Sequence, residues 1–213
     1  MNTNRTTFRP PVGAREKLLD AALRLIRQRG YGATSIDALC AEVGVTKGAF
    51  FHHFKNKETL GVAAAVHWSQ TTDQLFANAS YHDHSDPLDR ILAYIDFRTE
   101  LLDGPLDEIT CVVGTMVQES YQSSDAIRAA CDASITGHAA TLEADIAEAA
   151  EKYGVVDKVQ PASLALHTQA VLQGAFILAK AKGDASIARD STAHLKRYFE
   201  MLFSKKRKKE RDQ

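Results

Sequence analysis

The length and composition of the chain are those of a globular protein with a substantial core. Its 213 residues are 45% hydrophobic and 25% charged, with a formal net charge of −1. This length suits one medium domain or a small module joined to a larger one. The sequence contains no run of about 18 uncharged apolar residues, and residues 1–11 lack the apolar stretch of a secretory signal. The composition argues against a membrane span and against export, so we expect a cytoplasmic protein.

Charge is distributed unevenly along the chain. Residues 1–57 carry ten Lys/Arg and four Asp/Glu, residues 58–204 carry ten and twenty-one, and residues 205–213 carry six and two. A basic amino-terminal segment on an acidic body predicts that the first segment meets a polyanion and the second does not. Ordinary surface charge is the alternative interpretation.

Cysteine and histidine spacing gives no support for a metal site. The three cysteines are Cys40, Cys111 and Cys131. They lie far apart without a Cys-x-x-Cys motif, which favours reduced, packed thiols and leaves redox sensing by one of them as an alternative. Neighbouring His52 and His53 point about 100° apart on a helix and have no third ligand nearby in sequence. His82 and His84 lie in a polar loop and are interpreted as solvated. We expect no metal and no cofactor.

Helical periodicity extends over nearly the whole chain, so the predicted fold is all-α. Residues 1–13 are predicted to be a flexible basic arm that carries Arg5 and Arg9. The first helix is predicted from about Ala14 to Arg29, because apolar side chains recur there at the 3.6-residue helical spacing and Gly30 closes it.

The next residues predict a helix-turn-helix. Thr34-Ser35-Ile36-Asp37 has the Thr-x-x-Asp form of a capping box and opens a second helix. Gly44 and Val45 form a tight turn, and the Thr46 side chain caps a short third helix, Thr46–His53. The second helix of such a motif enters the major groove, while its capped start presents backbone N–H groups to phosphate.

A larger helical body is predicted to follow. Asn56 caps a long fourth helix from Lys57 to about Ala79, and Asp86 with Pro87 opens a helix that extends as far as Leu102. Further helices are predicted over residues 106–121, 125–153, 161–181 and 187–203. The predicted organisation is a basic arm (1–13), a DNA-binding domain (14–60), an effector-binding and dimerisation domain (61–204), and a basic tail (205–213).

The segment from Gly44 to Leu60 reads GVTKGAFFHHFKNKETL and resembles the signature of the TetR family of one-component regulators. Ala21-Ala22 through Gly30-Tyr31 and Ala41 through Val45 support the resemblance, which covers roughly Arg15 to Leu60. The resemblance implies an all-helical body that dimerises through its last two helices and holds a cavity for a small-molecule effector.

The resemblance also implies roles for individual residues. Thr34 and Ser35 would meet phosphate, and Lys57 would clamp the DNA backbone. The third helix would carry the residues that face bases or adjacent phosphates, namely Thr46, Lys47, Gly48, Ala49 and His52. Phe51 stands where the family usually has tyrosine, so it cannot donate a hydroxyl to phosphate but could contact a sugar or a thymine methyl group. Phe50 and Phe54 share a helical face and are assigned to the core.

Candidate effector contacts are residues on inward faces that combine bulk with a polar handle. They are Phe97, Met116, Glu119, His138 and Gln173. Glu119 and His138 are the most informative pair, because a buried carboxylate and a buried imidazole need partners and could recognise a polar or cationic effector. For each residue, a packed and hydrogen-bonded core position is the alternative.

The last two predicted helices carry more apolar surface than a monomer needs. Their apolar residues include Leu164, Ala165, Val171, Leu172, Gly174, Ala175, Leu178, Leu195, Tyr198, Phe199 and Leu202. We therefore expect a two-fold homodimer through about residues 161–181 and 187–203, with Gly174 and Ala175 allowing close packing.

The expected function is a ligand-controlled repressor that binds a pseudo-palindromic operator in double-stranded DNA. An activator of the same class is an alternative, because the sign of regulation depends on operator position. An all-α enzyme is another, but the sequence lacks a phosphate loop, a Gly-rich dinucleotide turn and a His-Glu-x-x-His motif. A third alternative is an architectural protein that binds DNA without sequence preference.

Overall fold

The computed structural model describes residues 13–204, which form eleven α-helices, two short 3₁₀ turns and no β-strand. The all-α prediction is confirmed for this part of the chain. Apart from Gly13, the predicted basic arm and basic tail lie outside the described residues. The helices are α1 (Ala14–Arg29), α2 (Ile36–Val43), α3 (Lys47–His53), α4 (Lys57–Ala77), α5 (Pro87–Glu100), α6 (Leu106–Ile109), α7 (Val112–Ser120), α8 (Asp125–Ala140), α9 (Glu143–Tyr153), α10 (Pro161–Lys182) and α11 (Ser186–Leu202).

Helices α1 to α3 form the amino-terminal module, and its helix ends follow local side-chain signals. Helix α1 has the predicted bounds, and it buries one apolar face that includes Leu18, Leu19, Ala22, Leu25 and Ile26. The Thr46 hydroxyl accepts a hydrogen bond from the backbone nitrogen of Ala49 at 3.2 Å, as an N-cap of α3 should. The predicted helix-turn-helix is therefore present.

One predicted cap is wrong by one residue. Ser35, not Thr34, caps α2, and its hydroxyl accepts from the backbone nitrogen of Ala38 at 3.1 Å. The Thr34 side chain is buried, and its hydroxyl donates to the Gly30 carbonyl at 2.7 Å. Both hydroxyl side chains suit a cap, and burial of Thr34 leaves the position to Ser35.

Helix α4 joins this module to the rest of the chain. It begins as predicted at Asn56, whose side chain accepts from the Thr59 nitrogen at 2.8 Å while the Thr59 hydroxyl accepts from the Asn56 nitrogen at 3.1 Å. It ends at Ala77, two residues earlier than predicted. Because α4 packs against both α1 and α8, it connects the module to the body.

Two of the helices predicted for the body are interrupted. The helix predicted over residues 106–121 breaks at Thr110, and Cys111 starts α7 by accepting from the Gly114 nitrogen at 3.4 Å. The helix predicted over residues 125–153 breaks at Thr141, whose hydroxyl donates to the His138 carbonyl at 2.7 Å. At Thr141, this local bond from the side chain to the backbone competes with helix continuation.

The buried side chains form one large core in the body and another that links the module to the body. The first holds α5, α9, α10 and α11 together around Ile91, Tyr94 and Phe199. The second extends from Leu18 in α1 through α4 to Met116 in α7 and Cys131 in α8. The amino-terminal module is therefore seated on the body through continuous apolar packing.

Helix α10 is long and apolar enough to cross a membrane by length and composition alone, with a mean hydropathy of 1.3 over its best window. Within the bundle, 44% of that window is buried. Its inner face packs against α8, α9 and α11, so we interpret it as a core helix of the body.

Candidate nucleic-acid interface and effector cavity

Helix α3 has one face fixed in the core and another face exposed. Phe50 is fully buried and its ring centroid lies 5.6 Å from that of Phe54, which is also buried. The prediction that these two residues belong to the core is confirmed. Phe51 is 53% exposed and His52 is exposed beside it. A buried aromatic anchor with exposed neighbours is the arrangement needed to present a short helix to another molecule.

The first turn of α3 is open on its outer side. A Cβ added at Gly48 would meet only the Thr46 hydroxyl oxygen, at 3.6 Å, which is an ordinary van der Waals distance. The fold therefore imposes no steric requirement for glycine at this position. A small residue there keeps the helix surface low, which favours close approach by a bulky partner such as a DNA backbone.

Four predicted DNA contacts surround one shallow surface depression. They are Ser35, Lys47, Phe51 and Lys57. The Lys47 ammonium lies 2.7 Å from an Asp37 carboxylate oxygen, and hydrogen bonding to Asp37 raises the pKa of Lys47. The lysine therefore stays charged, and both partners of this ion pair are exposed and free to rearrange.

The Lys57 ammonium is held by the loop between α1 and α2. It donates to the Gly32 carbonyl at 3.0 Å and lies 4.4 Å from the centroid of the Tyr31 ring. Burial lowers the pKa of Lys57. The Tyr31 hydroxyl donates back to the Lys57 carbonyl at 3.2 Å. This position beside the depression is compatible with the predicted backbone contact.

Thr34 does not have the surface position that the sequence predicts. Its side chain is buried, with 1% exposure, and its hydroxyl proton is used by the Gly30 carbonyl. The predicted phosphate contact by the Thr34 side chain is therefore corrected to a structural role. Ser35 keeps an exposed position at the start of α2.

The amino-terminal module and the body are joined by hydrogen bonds at the end of α7. The Glu119 carboxylate accepts from the backbone nitrogen of Gly32 at 2.6 Å and from that of Tyr31 at 3.2 Å. A Cβ added at Gly30, where φ is +89°, would lie 2.3 Å from a Glu119 carboxylate oxygen. Glycine at the end of α1 therefore allows both the loop conformation and this approach.

A cavity of about 380 Å³ lies where α4, α5, α7, α8 and α10 meet, and Arg27 of α1 and Glu108 of α6 also line it. Trp68, Phe76 and Phe176 contribute aromatic surface to its wall. Its polar side chains include Arg98, Thr110, His138, Gln169 and Gln173. A mostly apolar cavity of this size with a few convergent polar groups is typical of a small-molecule site.

The imidazole of His138, on the polar side of the cavity, is uncharged at neutral pH. Burial, with a smaller effect of the nearby Arg98 charge, lowers the pKa of His138 to about 4. Its Nε2 atom lies 3.0 Å from the hydroxyl of the fully buried Tyr94. An uncharged imidazole held by a buried phenol is a directional hydrogen-bonding group rather than a counterion.

Family models match both parts of the chain. Residues 18–64 match the model of bacterial regulatory proteins of the tetR family. Residues 87–194, about half of the chain, match the C-terminal domain model of LmrA/YxaF-like transcriptional regulators. The chain belongs to the TetR family. It is a transcriptional regulator whose DNA-binding motif is the helix-turn-helix of α2 and α3.

Several TetR-family regulators resemble the chain in sequence. The HTH-type transcriptional regulator YxaF of Bacillus subtilis is 30% identical over 119 residues, which cover 55% of this chain and 62% of YxaF. The matched region therefore spans less than two thirds of that relative. The HTH-type transcriptional repressor NemR of Escherichia coli K12 is 26% identical over 182 residues, which cover 85% of this chain and 92% of NemR.

Solved TetR-family structures share the fold. The reduced form of Escherichia coli NemR superposes with a TM-score of 0.70 at 27% identity, over 86% of this chain and 96% of that structure. A TetR regulatory protein from Rhodobacter sphaeroides superposes with a TM-score of 0.76 at 23% identity, over 86% and 97%. The second likeness concerns the fold alone.

Two of the five effector contacts predicted for this TetR-family body line its main cavity, namely His138 and Gln173. Met116 is fully buried in the core shared with the amino-terminal module, and Phe97 packs edge-on against Phe76 at 5.4 Å. Glu119 lies at the module junction and is exposed rather than buried. Glu119 is neither buried nor a lining residue of the main cavity, so it does not join His138 there as the predicted effector contact.

Sequence reasoning missed several polar residues of the cavity, among them Arg98 and Thr110. Arg98 follows Tyr94 by one helical turn on the inward side of α5. A charged residue on an otherwise apolar helix face could have indicated it as a candidate. Thr110 lies at the break between α6 and α7, inside a helix that was predicted to be continuous. No pattern in the sequence indicates that break.

Proposed function

We propose that the chain is a cytoplasmic, homodimeric transcriptional repressor. Its two helix-turn-helix motifs would bind a pseudo-palindromic operator, and a small molecule in the body cavity would release it. The relative NemR is named a transcriptional repressor, which supports this sign of regulation. An operator with half-sites about one helical turn apart, or more, fits a two-fold dimer.

The observation that carries the proposal is the exposed face of α3. Phe50 anchors this helix while Lys47, Phe51 and His52 face outward beside Ser35. The exposed set provides a cation for phosphate or a base edge, an aromatic ring for sugar or a thymine methyl group, and an imidazole. We assign base and phosphate contacts to this face.

Apolar surface on α10 and α11 supports the dimer. Five large side chains are 41% to 69% exposed there, namely Leu166, Ile177, Leu178, Tyr198 and Met201. Much of the apolar face predicted from the sequence is instead buried within the chain, including Leu164, Ala165, Leu172, Ala175, Leu195 and Phe199. The proposed interface therefore uses the opposite side of α10, where Leu166, Ile177 and Leu178 lie at helical spacing.

Helix α7 gives the proposed effector a route to the DNA-binding module. Thr110 and Cys111, immediately before this helix, line the cavity. Glu119, in its last turn, holds the loop that precedes α2. A ligand that changes the position of α7 would therefore act on the base of the helix-turn-helix. Such a ligand must bind the DNA-competent and the released state with different affinity.

The DNA-binding step is tested with duplexes from the region upstream of the chain's own gene, measured by fluorescence anisotropy at several salt concentrations. We expect selective binding over random duplexes. Lys47→Ala should either reduce the salt slope or relax base preference at a cost of about 1–3 kcal/mol. Lys182→Ala, which removes an exposed lysine at the end of α10, is the matched control and should change neither.

The sign of regulation is tested in a reporter strain in which the operator precedes a fluorescent protein. Expression should fall when the chain is present and recover with Lys47→Ala. Equal affinity for operator and random duplexes would contradict the proposed operator recognition. Higher expression in the presence of the chain would contradict repression.

A further inference from the structure

Arg98 is a half-buried cation without a counterion in the main cavity. Its guanidinium carbon lies 5.3 Å from the centroid of the Phe76 ring. Among residues 13–204, no carboxylate lies within ion-pair distance of Arg98, and none of the hydrogen bonds involves its side chain. A cation removed from bulk water needs compensation from nearby negative or aromatic groups. The Phe76 ring supplies part of this compensation through its cation–π contact with Arg98.

The second arginine of the cavity is different. Arg27 donates to the Glu108 carbonyl at 2.6 Å and to the Leu23 carbonyl at 3.2 Å. The carboxylates of Asp107 and Glu108 lie near enough to oppose the effect of burial, which lowers the pKa of Arg27. Arg27 is therefore satisfied within the chain. Of these two cavity arginines, Arg98 is the one without hydrogen bonds within residues 13–204, so it is the one that can bind a ligand.

The groups around Arg98 do not neutralise it. His138 is uncharged at neutral pH, and the phenol of Tyr94 stays protonated because burial raises its pKa. Gln169 reaches the Tyr94 hydroxyl at 3.4 Å. These groups supply hydrogen bonds without charge. The carboxylate among the lining residues, Glu108, acts on the charge of Arg27.

Thr110 provides a second and independent indication of a ligand. Its side chain is 1% exposed, and its hydroxyl oxygen has no hydrogen-bond partner among the described residues. Buried hydroxyl groups are nearly always paired, because an unpaired one loses its hydrogen bonds to water. Thr110 lines the same cavity as Arg98. A polar group on a bound molecule would satisfy it.

We propose that the cavity binds an apolar carboxylate, with the carboxylate on Arg98 and the hydrophobic body against Trp68, Phe76 and Phe176. A planar guanidinium presents parallel donors that match a carboxylate. Aromatic walls suit a ring-bearing body. This inference names the ligand class for the effector site of the proposed repressor, and it rests on the proposed function only for the consequence on DNA binding.

Binding is tested on the full chain with naphthoate and its uncharged analogue naphthamide, which have nearly the same shape. Trp68 is the single tryptophan of the chain and lines the cavity, so quenching of its fluorescence reports occupancy of this site. Isothermal titration calorimetry gives the affinities. We expect naphthoate to bind about 10 to 100 times more tightly than naphthamide, as a hydrogen-bonded charge pair does.

Three variants separate Arg98 from general effects on the cavity. Arg98→Gln should weaken naphthoate binding by about 10 to 100 times and leave naphthamide binding unchanged. Arg98→Lys, which keeps the charge but loses the paired donors, should lie between the two. Arg27→Gln is the matched control and should preserve the preference for naphthoate. Thermal unfolding verifies that each variant is folded.

The proposal is overturned if naphthamide binds the wild-type chain as tightly as naphthoate, if Arg98→Gln keeps full affinity for naphthoate, or if neither probe binds at millimolar concentration. Operator release is measured separately by anisotropy. Binding of naphthoate on Arg98 without operator release would contradict the effector step of the proposed function and leave the ligand class standing. The two failures are therefore distinguishable.

Discussion

The Glu119 carboxylate lies 2.6 Å from the backbone nitrogen of Gly32, and this contact joins the last turn of α7 to the loop before α2. The same carboxylate accepts from the Tyr31 nitrogen at 3.2 Å. An ionised acceptor makes each of these bonds stronger than a neutral one. Since the residues before α7 line the cavity, Glu119 lies at the opposite end of a short, rigid connection between cavity and helix-turn-helix.

Removing this carboxylate should loosen the loop. In Glu119→Ala we expect faster amide hydrogen exchange at Tyr31 and Gly32, and a loss of about 1.5–3 kcal/mol in the free energy of unfolding, the range for hydrogen bonds to charged groups. Gln118→Ala on the same helix is the control, because Gln118 donates only to the Gly114 carbonyl of its own helix. Unchanged exchange at the two amides in Glu119→Ala would show that the contact does not hold the loop.

Replacing Phe51 by tyrosine, which adds a hydroxyl group, is expected to add a hydrogen bond to DNA. Its ring is 53% exposed on the proposed DNA face, and the TetR signature usually has tyrosine there. Phe51→Tyr should tighten operator binding by about 3 to 10 times, the value of one added hydrogen bond. The salt slope should not change, because no charge is added. Anisotropy titrations at two salt concentrations test both points, and equal or weaker binding would place Phe51 away from phosphate.

The helix-turn-helix could be predicted closely because its signals are local. The Thr46 cap, the glycine after α2 and the spacing of Phe50 and Phe54 each depend on neighbours within a few residues, and the structure agrees with all three. Such local signals could not determine that Ser35, rather than Thr34, caps α2. Both are good caps, and burial of Thr34 against α1 depends on packing across the loop.

The cavity was less predictable because its lining comes from seven helices, several of them distant in sequence. Glu119 carried the right chemistry for a buried ligand contact, but its partners are backbone groups 87 and 88 residues away. Arg98 and Thr110 were missed for the same reason. Each is a candidate ligand contact because its side chain lacks a hydrogen-bond partner within the described part of the chain. The absence of a partner can be recognised only when all the neighbouring side chains are known.

Cys111 should be the most reactive of the three cysteines. Cys40 and Cys131 are buried, and burial raises the pKa of Cys131 to about 12. Cys111 is half-buried at the start of α7, where its sulfur accepts from the Gly114 nitrogen. Its partial exposure makes Cys111 more accessible to a reagent than the two buried cysteines. Native-state alkylation with iodoacetamide, mapped by mass spectrometry, should modify Cys111 at least about 10 times faster than either other cysteine.

Unfolding the chain in denaturant before alkylation provides the control, because the three rates should then converge. Cys111→Ser should leave the native chain almost unlabelled. Labelling of Cys40 or Cys131 at the rate of Cys111 in the native state would contradict the protection that burial gives them.

His138 should make the stability of the chain fall with decreasing pH. Its pKa is about 4 in the folded chain, below the ordinary value of 6.5, because burial disfavours the charged form. Between these values the unfolded chain binds more protons, so the free energy of unfolding falls by up to about 1.4 kcal/mol for each pH unit lost. Urea unfolding at several pH values tests this, with His138→Gln expected to show a shallower slope. Parallel curves for the two proteins would contradict it.

A larger side chain at Gly174 tests the proposed dimer interface without disturbing the packing within one chain. A Cβ added at Gly174 on α10 would meet nothing within 4 Å, and the same holds for Gly137 on α8. Leucine at either position should raise monomer stability by about 1 kcal/mol through helix propensity. In the proposed dimer, however, Gly174 faces the second copy, and overpacking costs about 1–3 kcal/mol. We therefore expect Gly174→Leu to weaken dimerisation by about 10 times or more in sedimentation velocity, while Gly137→Leu dimerises normally. Equal dimerisation of both variants would place the interface elsewhere than this face of α10.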